Sequence, residues 1–209
     1  MRNCCVTGWY YPQPIFDMLA ELQATGVDVT VMAHRDPACR VSVPVVTLPD
    51  IGLEWGSFSA YLKYHWHDGE TLFLHDDVSA SLETILTLYR SREKNDVDLA
   101  FIFRDEAMAN ENSWHHGRAI IASDKYLRRL AAGPGIWYDR DNHGMTIGPG
   151  CNRGCHHFYF TMGALKEEDP TLRTTILLAP DMDFGFRGLM GEAGREASAS
   201  RFTLQAAGA

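Results

Sequence analysis

Apolar residues recur along this chain with two alternating periods, and the alternation predicts an α/β fold. Residues 4–7 form a short apolar run, and after Pro12 and Pro14 the residues Phe16, Leu19 and Leu22 recur at helical spacing. Gly26 should end that helix, because glycine tolerates the left-handed backbone that commonly follows a last turn. Residues 27–31 then alternate apolar and polar side chains, as a strand does. Together these elements predict a right-handed β-α-β unit of about thirty residues.

The same alternation continues through the first half of the chain. Residues 43–48 are rich in β-formers but bracketed by prolines, which predicts an edge strand or an extended connection. An amphipathic helix is expected from Trp55 to Trp66, an apolar strand at residues 72–74, a helix capped by Ser79 or Ser81, and a strand at residues 97–103. This order predicts a mostly parallel central sheet flanked by helices.

The second half is less regular, and it is expected to add a smaller antiparallel portion. A polar loop is predicted at residues 104–118 and a short helix at 124–131. Two aromatic strands are predicted at 136–138 and 157–160, on either side of the glycine-rich residues 144–154, and a last strand at 174–178. Residues 1–191 are therefore expected to form one domain. Residues 192–209 are rich in alanine, serine, glycine and arginine, which predicts a flexible C-terminal tail.

Composition narrows the classes of function. The chain has 209 residues, 45% of them hydrophobic, which suits one domain with a full core, and its formal net charge of -8 argues against nucleic-acid binding. No secretory signal and no uninterrupted apolar run of about 18 residues is visible, so a cytoplasmic protein without a membrane span is expected. Five cysteines, an odd number, favour reduced thiols. The spacing of Cys151 and Cys155 does not match a zinc knuckle.

The chemistry of the chain is concentrated at the end of the apolar strand, where residues 72–78 read Leu-Phe-Leu-His-Asp-Asp-Val. Side chains at the carboxyl end of a parallel strand project into the crevice where open α/β sheets bind ligands. Carboxylate oxygens are also the ligands that Mg²⁺ and Mn²⁺ prefer when they hold phosphates. The run His75-Asp76-Asp77 therefore predicts a nucleotide or nucleotide-sugar site.

This run resembles the metal-binding segment of nucleotide-sugar glycosyltransferases of the GT-A fold, in which an apolar strand ends in an Asp-x-Asp motif. His75 stands where the first acid of that motif normally stands. The resemblance implies a GT-A-like single domain, with Asp77 as the principal ligand of Mn²⁺ or Mg²⁺, Asp76 beside the nucleotide, and His75 either as an assisting ligand or as a contact to the ribose. Imidazole suits softer ions than a carboxylate does, so His75 in place of the first acid leaves metal dependence open.

The resemblance also implies where the nucleotide would lie. In such enzymes the loops after the first two strands hold the base and the ribose, which here assigns Thr7, Gly8, Tyr10 and Asp36 to the nucleotide. Tyr10 would stack on the base, and Asp36 would accept a hydrogen bond from it. An ordinary turn at residues 34–37 explains Asp36 equally well.

A carboxylate that accepts the proton of the attacking hydroxyl commonly follows a late strand in GT-A enzymes. Asp181-Met182-Asp183 resembles that segment, so both acids are candidates for the general base. Asp183 is slightly favoured, because the neighbouring Phe184 would shield a base from water.

The leading hypothesis is a glycosyltransferase that moves a sugar from a nucleoside-diphosphate donor to a hydroxyl-bearing acceptor. A nucleotidyltransferase should carry a glycine-rich, basic phosphate loop after the first strand, whereas residues 8–12 are bulky and uncharged. A metal-dependent hydrolase built from residues 75–77 with the later histidine pairs, and a non-catalytic nucleotide-sugar-binding protein, remain alternatives. A homodimer is possible, although no feature of the sequence supports it.

Overall fold

The computed structural model describes residues 1–8, 11–37, 39–49, 53–106, 119–133, 135–136 and 171–183. Strands and helices alternate through this part of the chain, as the hydrophobic pattern predicts. The elements are β1 (Arg2–Gly8), α1 (Gln13–Ala24), β2 (Asp28–Ala33), β3 (Val45–Thr47), α2 (Leu53–Tyr64), β4 (Glu70–His75), α3 (Leu82–Asn95), β5 (Leu99–Phe103), β6 (Ala119–Ala122), α4 (Asp124–Ala132) and β7 (Thr174–Leu178).

The described strands form one sheet of seven in the order β3-β2-β1-β4-β6-β5-β7. β6 is antiparallel to both of its neighbours, β4 and β5, and every other pair is parallel. The other six strands therefore run in one direction, and their carboxyl ends lie along the same edge of the sheet. The expected mostly parallel sheet with a smaller antiparallel portion is confirmed.

Helices cover both faces of the sheet and bury two apolar layers. On one face, α1 and α3 pack Phe16, Leu19 and Tyr89 against the strands. On the other, α2 and α4 pack against Phe73, whose ring centroid lies 4.9 Å from that of Phe58 in an edge-to-face contact. Each large side chain buried in this way stabilises the fold by about 1.5–3 kcal/mol. No helix among the described residues is long and apolar enough to cross a membrane.

The signals that begin and end helices act as predicted. Pro12 precedes α1 in an extended conformation, Pro14 lies in its first turn, and Gly26 follows its end with a φ of +88°. Ser81, one of two predicted caps, is the N-cap of α3 and accepts a hydrogen bond from the Thr84 N–H at 3.1 Å.

The antiparallel strand of the described sheet is β6, which is not one of the aromatic strands predicted for the second half of the chain. β6 arises from the apolar run Ala-Ile-Ile-Ala, which was not predicted to be a strand because it is short and follows an irregular polar stretch. Ile136 lies in a bend, and the remainder of the predicted aromatic pair at 137–138 and 157–160 falls outside the described residues. So do residues 107–118 of the predicted loop and the predicted tail at 192–209.

Three of the cysteines lie in the described part of the chain, and all three are free thiols. Cys4 and Cys5 are fully buried in β1, and burial raises the pKa of the Cys4 thiol. Cys151 and Cys155 fall outside the described residues.

Candidate active site at the carboxyl edge of the sheet

Three neighbouring strands, β2, β1 and β4, end side by side at the carboxyl edge. Thr7 of β1 pairs with His75 of β4, and Gly8 pairs with Ala33 of β2. The loops that follow these strands therefore leave the sheet at the same level and next to one another. The β-α-β pattern and the strand-end acids predicted this convergence.

Asp76 lies between the ends of β1 and β4. Its N–H donates to the Thr7 carbonyl at 2.8 Å, which extends the parallel ladder by one residue. Its carboxylate is fully buried, and its Oδ2 accepts a hydrogen bond from the Tyr11 main-chain N–H at 2.7 Å. A buried carboxylate is costly unless donors face it, so this bond fixes where the carboxylate lies.

Gly8 provides the space that the Asp76 carboxylate occupies. A Cβ added to Gly8 would lie 1.8 Å from Oδ1 and 2.0 Å from Cγ of Asp76. No side chain can be accommodated at this position without moving the carboxylate. The sequence prediction assigned Gly8 to the nucleotide loop, and the structure gives it this additional steric role.

His75 and Asp77 form a close pair at the tip of β4. His75 Nδ1 lies 2.8 Å from Asp77 Oδ1 and 3.3 Å from Asp76 Oδ1, so one imidazole contacts both carboxylates. The His75 side chain is 12% exposed, whereas both carboxylates are 0% exposed. The imidazole is therefore the member of this trio that reaches the surface.

Within this trio, the separation of His75 and Asp77 is compatible with two ligands of one divalent ion. Two ligands at adjacent corners of an octahedral ion with bonds of about 2.1 Å lie about 3 Å apart, close to the 2.8 Å between His75 Nδ1 and Asp77 Oδ1. The same separation is that of a hydrogen bond. No group of three His, Cys, Asp or Glu side chains suited to a metal occurs among the described residues. Mg²⁺ is commonly held by one or two carboxylates together with substrate phosphates, so Asp77, with His75 beside it, could contribute ligands to such a shell.

Thr7 and Asp36, which the sequence prediction also assigned to the nucleotide, lie on the same edge but differ in access. The Thr7 side chain is fully buried, and its hydroxyl donates to the Met32 carbonyl at 3.2 Å, so it ties β1 to β2. Asp36 follows β2, is exposed, and accepts a hydrogen bond from the Thr47 hydroxyl at 3.2 Å. Tyr10 lies outside the described residues. Of Thr7 and Asp36, it is Asp36 whose side chain a ligand can approach.

The segment after β7 reaches the acidic strand end. Asp183 exchanges two main-chain hydrogen bonds with Ser79, at 2.9 and 3.0 Å, and Ser79 is two residues beyond Asp77. The Asp183 residue itself is exposed. The two carboxylate-bearing segments predicted from sequence, 76–77 and 181–183, are therefore neighbours in the structure.

Asp181 has a different environment from Asp183. Its carboxylate accepts hydrogen bonds from the hydroxyl of Thr84 in the first turn of α3 and from that of the N-cap Ser81, the latter at 3.3 Å. The Thr84 hydrogen bond holds the pKa of Asp181 below its usual value. A carboxylate with a lowered pKa is a weaker base, so the surroundings of Asp181 suit a role in anchoring α3 better than proton transfer.

Sequence reasoning missed three residues at this edge. The Tyr11 hydroxyl donates to the Gly8 carbonyl and accepts a hydrogen bond from the His34 N–H at 3.0 Å. His34 Nε2 in turn lies 3.0 Å from Ser57 Oγ, and Ser57 is 1% exposed. His34 directly follows β2 and therefore carries the same strand-end signal as the histidine of β4. Tyr11 was overshadowed by Tyr10, which the sequence prediction chose for stacking.

Comparison with known proteins supports the fold. The order of strands and the antiparallel β6 define a GT-A-like α/β fold, the class that the sequence resemblance implies. Solved structures of the Staphylococcus aureus glycosyltransferase TarS share it. TarS 1-349 in complex with UDP-GlcNAc is 11% identical, with a TM-score of 0.54 over 98% of this chain and 66% of that one.

Two further TarS structures give the same result. TarS 1-349 alone has a TM-score of 0.53 at 12% identity, over 85% of this chain and 58% of that one. A longer TarS structure has a TM-score of 0.56 at 12% identity, over 96% of this chain and 39% of that one. The chain thus spans between 39% and 66% of these neighbours. No protein-family profile and no curated protein sequence matches it.

Proposed function

We propose that this chain is a glycosyltransferase that moves a sugar from a nucleoside-diphosphate donor to a hydroxyl group of an acceptor. The observation that carries the proposal is the convergence of the ends of β1, β2 and β4, where Asp76 lies against Gly8 and His75 pairs with Asp77. The fold shared with TarS supports it, and one TarS structure is a complex with UDP-GlcNAc. The carboxyl edge of a mostly parallel sheet is also where such folds bind nucleotides.

In the proposed reaction, the base and ribose lie over the ends of β1 and β2, and the diphosphate lies at the tip of β4. Asp36 is the exposed acceptor for hydrogen bonds from the base or ribose. Asp77 and His75 would hold a divalent Mn²⁺ or Mg²⁺ ion, which neutralises the negative charge that develops on the departing diphosphate. His75 is the member of the pair that reaches the surface, where the phosphates would approach.

The transfer itself needs a base for the acceptor. The acceptor oxygen forms a bond to the anomeric carbon, the bond from that carbon to the phosphate oxygen breaks, and the nucleoside diphosphate leaves. We assign the acceptance of the hydroxyl proton to Asp183, because its segment hydrogen-bonds to Ser79 beside the acidic strand end and the residue is exposed. The hydrogen bonds that hold Asp181 on α3 make it the weaker candidate.

A thermal-shift screen with UDP- and GDP-sugars, each with MnCl₂ or with EDTA, tests the proposal. A donor at about 100 times its Kd adds about 2.7 kcal/mol to the free energy of unfolding. For a chain of this size that gain raises Tm by roughly 5–10 °C. Release of the nucleoside diphosphate from the stabilising donor, with sugar transferred to an acceptor, would then establish turnover.

The Asp77→Ala variant tests the assigned metal ligand. It should lose the manganese-dependent part of the donor shift, whereas Asp28→Ala, which removes an exposed carboxylate at the start of β2, should keep it. Parental turnover by Asp77→Ala would refute the assignment. Stabilisation by metal alone would favour a hydrolase, and donor binding without turnover would favour a binding protein.

A further inference from the structure

Tyr11 lies where the ends of β1, β2 and β4 meet, and we propose that it is a positioning residue that sets the shape of the donor site. The inference rests on the proposed function, since it names the residue that holds the nucleotide loops in place. Tyr11 itself is 2% exposed, so it acts through its neighbours rather than by touching a donor.

Both the side chain and the main chain of Tyr11 take part in hydrogen bonds. The hydroxyl donates to the Gly8 carbonyl at the end of β1 and accepts from the His34 N–H just beyond β2, at 3.0 Å. The main-chain N–H donates to Asp76 Oδ2 at 2.7 Å, just beyond β4. The main-chain carbonyl of Tyr11 accepts a hydrogen bond from the Cys39 thiol, with Sγ at 3.3 Å. One residue therefore joins the three strand ends that form the candidate site.

The backbone of Tyr11 indicates that these contacts are needed to hold it. Its φ is +50°, in the left-handed region, which is uncommon for a bulky residue with a Cβ. Pro12 follows, and a residue before proline is further restricted in its conformation. Such conformations persist only where the surrounding structure over-determines them, and they cluster at ligand-binding and active sites.

The two groups of Tyr11 have separable effects. The main-chain N–H fixes the carboxylate of Asp76, and no side-chain substitution removes it. The hydroxyl bridges the end of β1 to His34, two residues before Asp36, which the proposed function assigns to the base and ribose. Loss of the hydroxyl should therefore weaken nucleotide binding, while the diphosphate end and the acceptor side stay formed.

Tyr11→Phe tests this role, and Tyr89→Phe is its matched control. Tyr89 is also fully buried, and its hydroxyl also donates to a carbonyl of β1, that of Asn3, at 2.5 Å. Asn3 lies near the start of β1, at the edge of the sheet opposite the candidate site. Both variants thus remove a buried tyrosine hydroxyl from the same strand, but at opposite ends.

The measurement is the affinity of UDP, GDP, ADP and dTDP by titration calorimetry with Mn²⁺ present, together with Tm. Since Tyr11→Phe removes two hydrogen bonds, it should weaken the nucleotide that binds the parent by roughly 5- to 30-fold. With a sugar donor, its KM should rise while the KM of the acceptor stays unchanged. Tyr89→Phe should also lower Tm, because it removes a buried hydrogen bond, but it should bind the nucleotide within about twofold of the parent.

If the parent, Tyr11→Phe and Tyr89→Phe bind the nucleotide with equal affinity, Tyr11 has only a structural role. That result would overturn this inference and leave the proposed function standing. A parent protein that binds none of the four nucleotides would overturn the proposed function, and the positioning role with it. If Tyr11→Phe does not fold, Ser57→Ala decides, because the Ser57 hydroxyl lies 3.0 Å from Nε2 of His34, the residue whose N–H the Tyr11 hydroxyl holds. Unchanged nucleotide affinity in that variant would then count against the inference.

Discussion

Substituting Gly8 by alanine should expel the Asp76 carboxylate from its place between β1 and β4. The added Cβ would lie 1.8 Å from Oδ1, 2.0 Å from Cγ and 2.6 Å from Oδ2, whereas ordinary contacts begin near 3.4 Å. The Asp76 side chain must therefore move by more than about 1 Å, since packing at such distances is strongly repulsive. The atoms that would overlap belong to a fully buried group on the adjoining strand end, so little room is left for relaxation.

The energetic cost follows from what Asp76 loses when it moves. Its Oδ2 accepts the Tyr11 N–H at 2.7 Å, and a hydrogen bond to a charged group contributes about 1.5–3 kcal/mol. The N–H is left in a buried position, which adds to the loss. We expect Gly8→Ala to lower the free energy of unfolding by about 3 kcal/mol. For a chain of this size Tm should fall by about 6–12 °C.

Gly26→Ala is the control for Gly8→Ala in denaturant and thermal unfolding. The Cβ added at Gly8 overlaps the Asp76 side chain, whereas the Cβ added at Gly26 meets no atom and strains only the backbone. Gly26 has a φ of +88°, but no atom lies within 4 Å of an added Cβ, so its substitution should cost only about 1–2 kcal/mol of strain. Gly8→Ala should also lose donor-dependent stabilisation, and Gly26→Ala should keep it. If Gly8→Ala unfolds at the parental temperature and binds donor normally, the assigned contact between Gly8 and Asp76 is wrong.

Two further outcomes are expected. Asp183→Asn should lower kcat by about 10²- to 10⁴-fold with little change in the donor KM, because an amide cannot take up the proton of the attacking hydroxyl. Asp181→Asn should lower kcat by less than about tenfold. Steady-state rates of the two variants check this, and the reverse order would make Asp181 the base. Ser81→Ala should remove the N-cap of α3 and lower the free energy of unfolding by about 1 kcal/mol. Urea unfolding measures this loss, and a Thr at the same position should restore most of it.

The hydrophobic pattern was sufficient for elements whose burial repeats locally. α1 carries its buried side chains at helical spacing and ends two residues before Gly26, and β4 carries an apolar run at residues 72–74 directly before His75. Both properties depend on residues within one or two turns of each other, so a sequence displays them directly. β6 was missed because its four residues become a strand only through pairing with β4 and β5, which lie on either side of it in the sheet.

The candidate site divides in the same way. The sequence alone determined that an imidazole and two carboxylates stand at the end of a buried strand, because an abrupt change from apolar to charged side chains marks the edge of a sheet. Only the tertiary structure decided that Asp76 occupies the space left by Gly8, that Tyr11 joins three strand ends, and that Asp183 reaches Ser79. Those contacts join residues far apart in the chain, and their geometry depends on strand order and register, which local periodicity does not encode.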